Sequence, residues 1–222
     1  SEAQMMTDTA PIELTAFSWV PPMPRGLVRD LRARWVLEEM GLPYRTRLYD
    51  RRTSGPEERK PDQPFGQVPV LRQGDAVLFE SGAICLWLAE RDPALMPRDQ
   101  AARAKVLSWV FAALNSVEPG ILMVQYLTLF DADKPGAADF APTARGRLAD
   151  RLTQLADAFG KQDWLAGTFT VADVLMVSVL RQLMRGNQLA AFPELVAYVE
   201  RGEARPAFQR ALAAHMADFI DD

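Results

Sequence analysis

The chain has 222 residues, of which 49% are hydrophobic and 24% are charged, and its net charge at pH 7 is -4. This composition is typical of a globular protein of one or two domains, and the acidic balance gives no general affinity for nucleic acid. The only cysteine and the only histidine are Cys85 and His215. A single cysteine excludes an internal disulfide and any cysteine-based zinc site, and a single histidine argues against histidine-rich metal sites and Ser–His or Cys–His catalysis, so no metal is expected.

The first ninety residues carry alternating strand and helix signals. Residues 1–10 are expected to be an irregular lead-in. In chain order the predicted elements are a strand at 12–20, a helix at 27–40, a strand at 44–50, a polar loop at 51–63, a hairpin around Gln73-Gly74-Asp75 and a helix from residue 81. Gly41 is expected to end the first helix, and Ser81 is expected to be the N-cap of the last.

Strand signals vanish after Asp99, and helical spacing takes over. Helices are predicted at 101–130, interrupted at Glu118-Pro119-Gly120, and at 141–159, 171–184, 193–200 and 206–214. We therefore predict a mixed α/β domain at 11–92, a linker at 93–100 and an all-helical domain at 101–222. No 18-residue apolar run and no leader pattern is visible, which predicts a cytoplasmic protein without a membrane segment.

Pro69 interrupts the hairpin's first strand, where a proline cannot donate to the ladder. One reading is that the hairpin simply begins at Val70. The other is a cis Val68–Pro69 bond that leaves the N–H and C=O of Val68 free to pair with an extended, peptide-like ligand.

Glu80 and Ser81 stand at the start of the next helix. Ser81 could be only a helix cap, but a helix start also binds a carboxylate, and Glu80 could neutralise an ammonium group. Together they suit the head group of an α-amino acid. An amino-acid head group beside an extended peptide suggests glutathione.

The stretches "GQVPVL", "FESGAI" and "VLEEMGLPY" resemble the cytosolic glutathione S-transferases, and the similarity covers nearly the whole chain. The resemblance implies a thioredoxin-like first domain in which Pro69 is cis and Val68 pairs with the cysteinyl part of glutathione. Glu80, Ser81 and Gln67 would hold its γ-glutamyl end, and Lys60 its glycine carboxylate. For Lys60 the alternative is a solvated loop charge.

The segment "TFTVADVLM" contains Thr170 and Asp173 at capping-box spacing. It resembles the family's helix-start signature in the second domain. The expected role is in folding, and no catalytic role is assigned to it.

Activation of the glutathione thiol needs a group in the protein that lowers the pKa of that thiol from the ordinary value near 8.5. The family commonly places a tyrosine, serine or cysteine between the first strand and helix, but "AFSWVPPMPRGLVRDLRARW" has no tyrosine or cysteine. Arg29 falls where some bacterial members carry a catalytic cysteine. The candidates are the Ser18 hydroxyl, or Arg25 or Arg29 acting with N–H groups near Gly26. A solvated helix face is the alternative for the arginine cluster, which comprises Arg25, Arg29, Arg32 and Arg34.

An electrophile site is expected between the two domains. Its candidate residues are Trp19, Trp109, Asn115 and Tyr126, although at helical spacing such residues are more often core. Cys85 is expected to be a small buried residue, and His215 a surface residue.

The sequence thus predicts a homodimeric, glutathione transferase-like enzyme that takes glutathione as co-substrate and directs its thiolate at a small electrophile. Glutathione-dependent reduction, dehalogenation or isomerisation on the same site is one alternative. A non-catalytic binding or assembly module of the same fold is another. A nucleic-acid partner for the arginine-rich helix is a weaker idea, and the acidic net charge argues against it.

Overall fold

The structure is a computed structural model that describes residues 9–221. Most of the predicted lead-in, residues 1–8, lies outside the described residues. The chain divides into two compact units. One runs to Pro93 and also takes in the chain from Glu203, and the other is Ala94–Gly202.

The first unit contains a four-stranded mixed sheet. Its strands are β1 (Ile12–Trp19), β2 (Tyr44–Asp50), β3 (Val70–Gln73) and β4 (Ala76–Phe79), in the order β2-β1-β3-β4. β1 runs parallel to β2 and antiparallel to β3, and β3 pairs antiparallel with β4. The predicted hairpin is confirmed, since Gln73 pairs with Ala76 across the turn.

Three helices belong to this unit: α1 (Asp30–Met40), α2 (Ser81–Ala89) and α7 (Pro206–Ala217). Gly41 ends α1 at a φ of 63°, as predicted. The core includes Leu14 of β1 and Trp35 of α1, which are both fully buried. The ring of Phe208 on α7 meets Trp35 edge-on at 4.8 Å, so the last helix forms part of the first unit's core.

The second unit is helical. Its elements are α3 (Gln100–Phe130), α4 (Ala137–Phe159), α5 (Val171–Met184) and α6 (Pro193–Glu203). The predicted interruption at residues 118–120 is wrong, because α3 continues through it with π-helical segments at Ala112–Val117 and Tyr126–Phe130. After the first π-helical segment, α3 resumes as the α-helical stretch Glu118–Gln125, and Pro119 lies in the first turn of that stretch, where a missing N–H is tolerated.

The predicted fold class, a thioredoxin-like mixed domain followed by a helical one, is confirmed. The domain boundaries 11–92, 93–100 and 101–222 stay a prediction. The chain from residue 203 onward packs with the first unit, whereas the prediction assigns it to the helical domain.

By length and composition α3 could cross a membrane, with a mean hydropathy of 1.4 over its most apolar window. A core helix of a soluble protein meets the same criterion, so this is weak evidence for a membrane span.

Candidate functional site

The segment before β3 offers an unpaired stretch of backbone. The Val68–Pro69 peptide bond is cis, as the resemblance implies. The N–H of Val70 donates to Thr15 Oγ1 at 2.7 Å, and Val70 pairs with Phe79 of β4. Among residues 9–221 the N–H and C=O of Val68 make no intramolecular hydrogen bond. They can therefore accept an extended ligand as an added strand.

Glu80 has an unusual backbone conformation. Its φ of 70° and ψ of 116° lie in a region that non-glycine residues rarely adopt, which costs on the order of 1–3 kcal/mol. Such a cost persists where the surrounding structure requires the conformation, often at a ligand site. The carboxylate of Glu80 is exposed and makes no capping bond to the helix that follows.

Ser81 is not the N-cap that the sequence predicts. Glu80 occupies the cap position and Ser81 is the first helical residue, because the chain turns into α2 one residue earlier. Ser81 is only 6% exposed. Its Oγ accepts a hydrogen bond from Arg32 Nη1 at 3.3 Å. The hydroxyl thus lies beside the free N–H groups of the first turn of α2.

The loop before Val68 carries the other two predicted glutathione contacts. Gln67 is exposed. Lys60 is also exposed and pairs with Glu57 at 2.5 Å, which fits the alternative reading of a solvated loop charge.

Arg59 holds this loop in place, and sequence reasoning missed it. Its side chain is buried, and Nε donates to the carbonyl oxygen of Gly66 at 2.7 Å. The guanidinium lies over the rings of Phe17 and Tyr49 at 5.2 and 5.5 Å. Burial lowers the pKa of Arg59. Nothing in the polar run "EERK" distinguishes this arginine from its neighbours, because the partner rings lie on β1 and β2.

The predicted thiolate activators lie around the end of β1. Ser18 is half-buried, where the pairing register shifts between Phe17 and Trp19. Arg29 immediately precedes α1 and makes no side-chain cap. Arg25 is directed elsewhere: Nε donates to the Val20 carbonyl, and the guanidinium lies over the Phe219 ring at 5.4 Å.

A buried polar network joins this region to α7. The N–H of Gly26 donates to His215 Nε2 at 3.1 Å, so the proton of the imidazole is on Nδ1, 2.9 Å from Asp30 Oδ2. Arg34 bridges Asp30 and Asp218. The prediction that His215 is a surface residue is wrong, since it is 1% exposed. The Gly26 N–H is engaged by His215, which argues against its predicted role at a thiolate.

The alternative that the arginine cluster forms a solvated helix face is wrong for two of its four residues. Arg32 and Arg34 are 4% and 1% exposed, because α1 turns this face toward α2 and α7. Arg25 and Arg29 are half-buried.

Of the four predicted electrophile contacts, Trp19 belongs to the first unit and the other three belong to the helical unit. Trp19 ends β1, and the guanidinium of Arg52 covers its ring at 5.0 Å. On α3, Trp109 is half-buried, whereas Asn115 and Tyr126 are exposed. The last two are therefore not core residues. A groove of about 550 Å³ in the helical unit is lined by other residues, among them Thr128, Arg145 and Phe192.

Two further groups, Asp173 and Cys85, are fully buried. The predicted capping box of Thr170 and Asp173 is confirmed, and Asp173 also accepts from the Tyr198 hydroxyl at 2.8 Å. Cys85 is fully buried, and burial raises the pKa of its thiol to about 12. Among residues 9–221 no cluster of three acidic, histidine or cysteine side chains could hold a metal ion.

The fold and these contacts define a thioredoxin-like protein with a helical second domain. The sequence model described as "Glutathione S-transferase, N-terminal domain" matches residues 31–91, and the corresponding C-terminal domain model matches residues 117–206. The maize protein named glutathione S-transferase 3 is 31% identical over 201 residues, covering 83% of this chain and 88% of its own. The chain belongs to the glutathione S-transferase family, which confirms the predicted family and enzyme class.

Two solved structures extend the comparison. A glutathione S-transferase from Actinobacillus pleuropneumoniae is 27% identical, covers 92% of both chains and has a TM-score of 0.72. A family member from Pseudomonas fluorescens, solved with two glutathione bound, has a TM-score of 0.80. At 23% identity, over 91% of this chain and 92% of its own, the second is evidence for the fold alone.

Proposed function

We propose that the protein binds glutathione in its first unit and directs the thiolate at a small electrophile. The observation that carries the proposal is the pair Glu80 and Ser81 at the start of α2. Glu80 has a backbone with positive φ and an exposed carboxylate, and Ser81 lies beside the free N–H groups of the helix. Membership of the glutathione S-transferase family supports the choice of ligand.

Each group of glutathione has a proposed partner. The ammonium of the γ-glutamyl end pairs with Glu80, and its carboxylate binds Ser81 and the positive end of α2. The peptide next to the cysteinyl group pairs with the backbone of Val68, and Gln67 assists at the γ-glutamyl end. Lys60 is the proposed partner of the glycine carboxylate, for which it must leave Glu57.

Stabilisation of the thiolate is the proposed source of catalysis. Ser18 and Arg29 are stronger candidates than Arg25, because Arg25 is engaged by the carbonyl of Val20 and the ring of Phe219. A hydrogen bond or a nearby positive charge lowers a thiol pKa and so raises the thiolate fraction at neutral pH. The reaction is then addition to the electrophile or displacement of its leaving group.

The remaining contacts and partners follow the family. Trp19, Trp109, Asn115 and Tyr126 are the proposed contacts of the electrophile. We propose a cytoplasmic homodimer with no nucleic-acid or membrane partner. Reduction, dehalogenation or isomerisation with the same co-substrate would use the same glutathione contacts.

The test is calorimetric titration of glutathione into the wild type and the Glu80→Ala, Ser81→Ala double variant. The thiol pKa of bound glutathione is read from thiolate absorbance in the ultraviolet. Asp75→Asn, in the exposed turn of the β3–β4 hairpin, is a matched control for the loss of one acidic charge. We expect the double variant to lose at least tenfold in affinity, which is about 1.4 kcal/mol, while the control binds normally.

Each outcome bears on the proposal. A bound thiol pKa well below 8.5, together with turnover of an activated aryl halide, supports a transferase. A wild type that binds glutathione without lowering this pKa contradicts thiolate activation. No binding at millimolar glutathione overturns the proposed function and leaves the non-catalytic module.

A further inference from the structure

Arg32 is buried directly behind the proposed carboxylate site. It lies on α1, is 4% exposed, and reaches across to α2 to donate from Nη1 to Ser81 Oγ at 3.3 Å. The two residues are 49 positions apart in the chain, so local sequence gives no sign of the contact.

This contact determines what the Ser81 hydroxyl can do. A guanidinium only donates, so Ser81 Oγ must accept from it. A hydroxyl has one proton, and among residues 9–221 the only hydrogen bond of Ser81 Oγ is the one it accepts from Arg32, so no protein group takes that proton. The Ser81 O–H is thus left to donate to a group at the start of α2.

The charge of Arg32 also lies beside the first turn of α2. Cys85 stands one turn after Ser81, and Arg32 opposes the effect of burial on the pKa of that thiol. A buried cation at this position adds to the positive end of the helix dipole. Both effects favour an acceptor that carries negative charge.

We propose that Arg32 is a positioning residue of the glutathione site, which directs the Ser81 hydroxyl proton toward the α-carboxylate of the γ-glutamyl group. This inference rests on the proposed function and adds a residue to it. It predicts that Arg32 matters for one chemical group of the ligand and not for the others.

The experiment compares three ligands by calorimetric titration: glutathione, its glutaryl analogue, which lacks the α-amino group, and its γ-aminobutyryl analogue, which lacks the α-carboxylate. For Arg32→Met we expect affinity for glutathione and the glutaryl analogue to fall about 10- to 100-fold, as for loss of a charge-assisted hydrogen bond. Affinity for the γ-aminobutyryl analogue should change less than about threefold, because the group that Arg32 serves is absent.

Two further variants test the route through Ser81. Ser81→Ala should show the same ligand pattern, and adding Arg32→Met to it should cost less than the two losses combined. Arg32→Lys keeps the charge and a group that donates hydrogen bonds, so it should restore part of the preference for carboxylate ligands. Should Arg32→Met not fold, Ser81→Ala and Arg32→Lys carry the same comparison.

Arg45→Met, on the exposed face of β2, controls for the loss of one positive charge and should bind all three ligands normally. Equal losses for all three ligands in Arg32→Met would mean a merely structural role and overturn the inference. Unchanged affinity for glutathione would overturn it as well. A wild type that binds none of the ligands would instead refute the proposed function, so the two failures are distinguishable.

Discussion

Gly66 is the position at which one added methyl group should disturb the proposed site most. It precedes Gln67 and Val68, and its φ is 65°. A Cβ at this residue would lie 2.6 Å from Pro56 Cβ and 2.7 Å from the Pro56 carbonyl oxygen. Neither atom is at the end of a flexible side chain, so the backbone of the loop must move to accept it.

The expected destabilisation of Gly66→Ala has two parts. The left-handed conformation costs an alanine about 1–2 kcal/mol. The overlap with Pro56 adds roughly 1–3 kcal/mol, as for overpacking elsewhere. Gly41→Ala is the matched control, because its φ is 63° but nothing lies within 4 Å of the added Cβ. The difference between the two variants isolates the overlap.

Urea unfolding followed by circular dichroism measures both variants, with the same titration of glutathione. We expect Gly66→Ala to be less stable than Gly41→Ala by about 1–3 kcal/mol. It should also bind glutathione more weakly, since the displaced loop carries Gln67 and Val68. Equal destabilisation of the two variants, within about 0.5 kcal/mol, would refute the reasoning and mean that the loop relaxes freely.

Two further predictions concern buried groups. Asp173→Ala leaves the Leu165 N–H and Tyr198 O–H without their acceptor, so we expect urea unfolding to show a loss of about 3–5 kcal/mol. Asp99→Ala, which removes an exposed helix cap, should cost only about 1 kcal/mol, and an equal loss would contradict the argument. Cys85 should react with a thiol reagent only after unfolding. Its pKa of about 12 exceeds the ordinary 9.0, so this thiol's contribution to stability is complete below pH 9 and falls as the pH rises toward 12. A Cys85→Ala variant should lack that fall, and rapid labelling of the native protein would contradict the burial.

The sequence alone was sufficient for three features that depend on neighbouring residues. The β3–β4 hairpin, the glycine that ends α1 and the capping box of α5 each depend on contacts within a few positions. Two other local rules failed. Ser81 has the chemistry of an N-cap, yet Glu80, with its positive φ, occupies the cap position and the helix starts one residue earlier. Pro119 suggested a break, yet α3 continues through it as the α-helical stretch Glu118–Gln125.

Only the tertiary structure determined the buried polar contacts between distant segments. Arg32 meets Ser81 across 49 positions, and His215 meets Gly26 and Asp30 across more than 180. An arginine on a helix has the same local spacing whether it faces water or a serine on another helix. Sequence thus determined the family, the fold class and the candidate contacts of glutathione. Packing determined which arginines are buried, because burial depends on the neighbours that folding brings together.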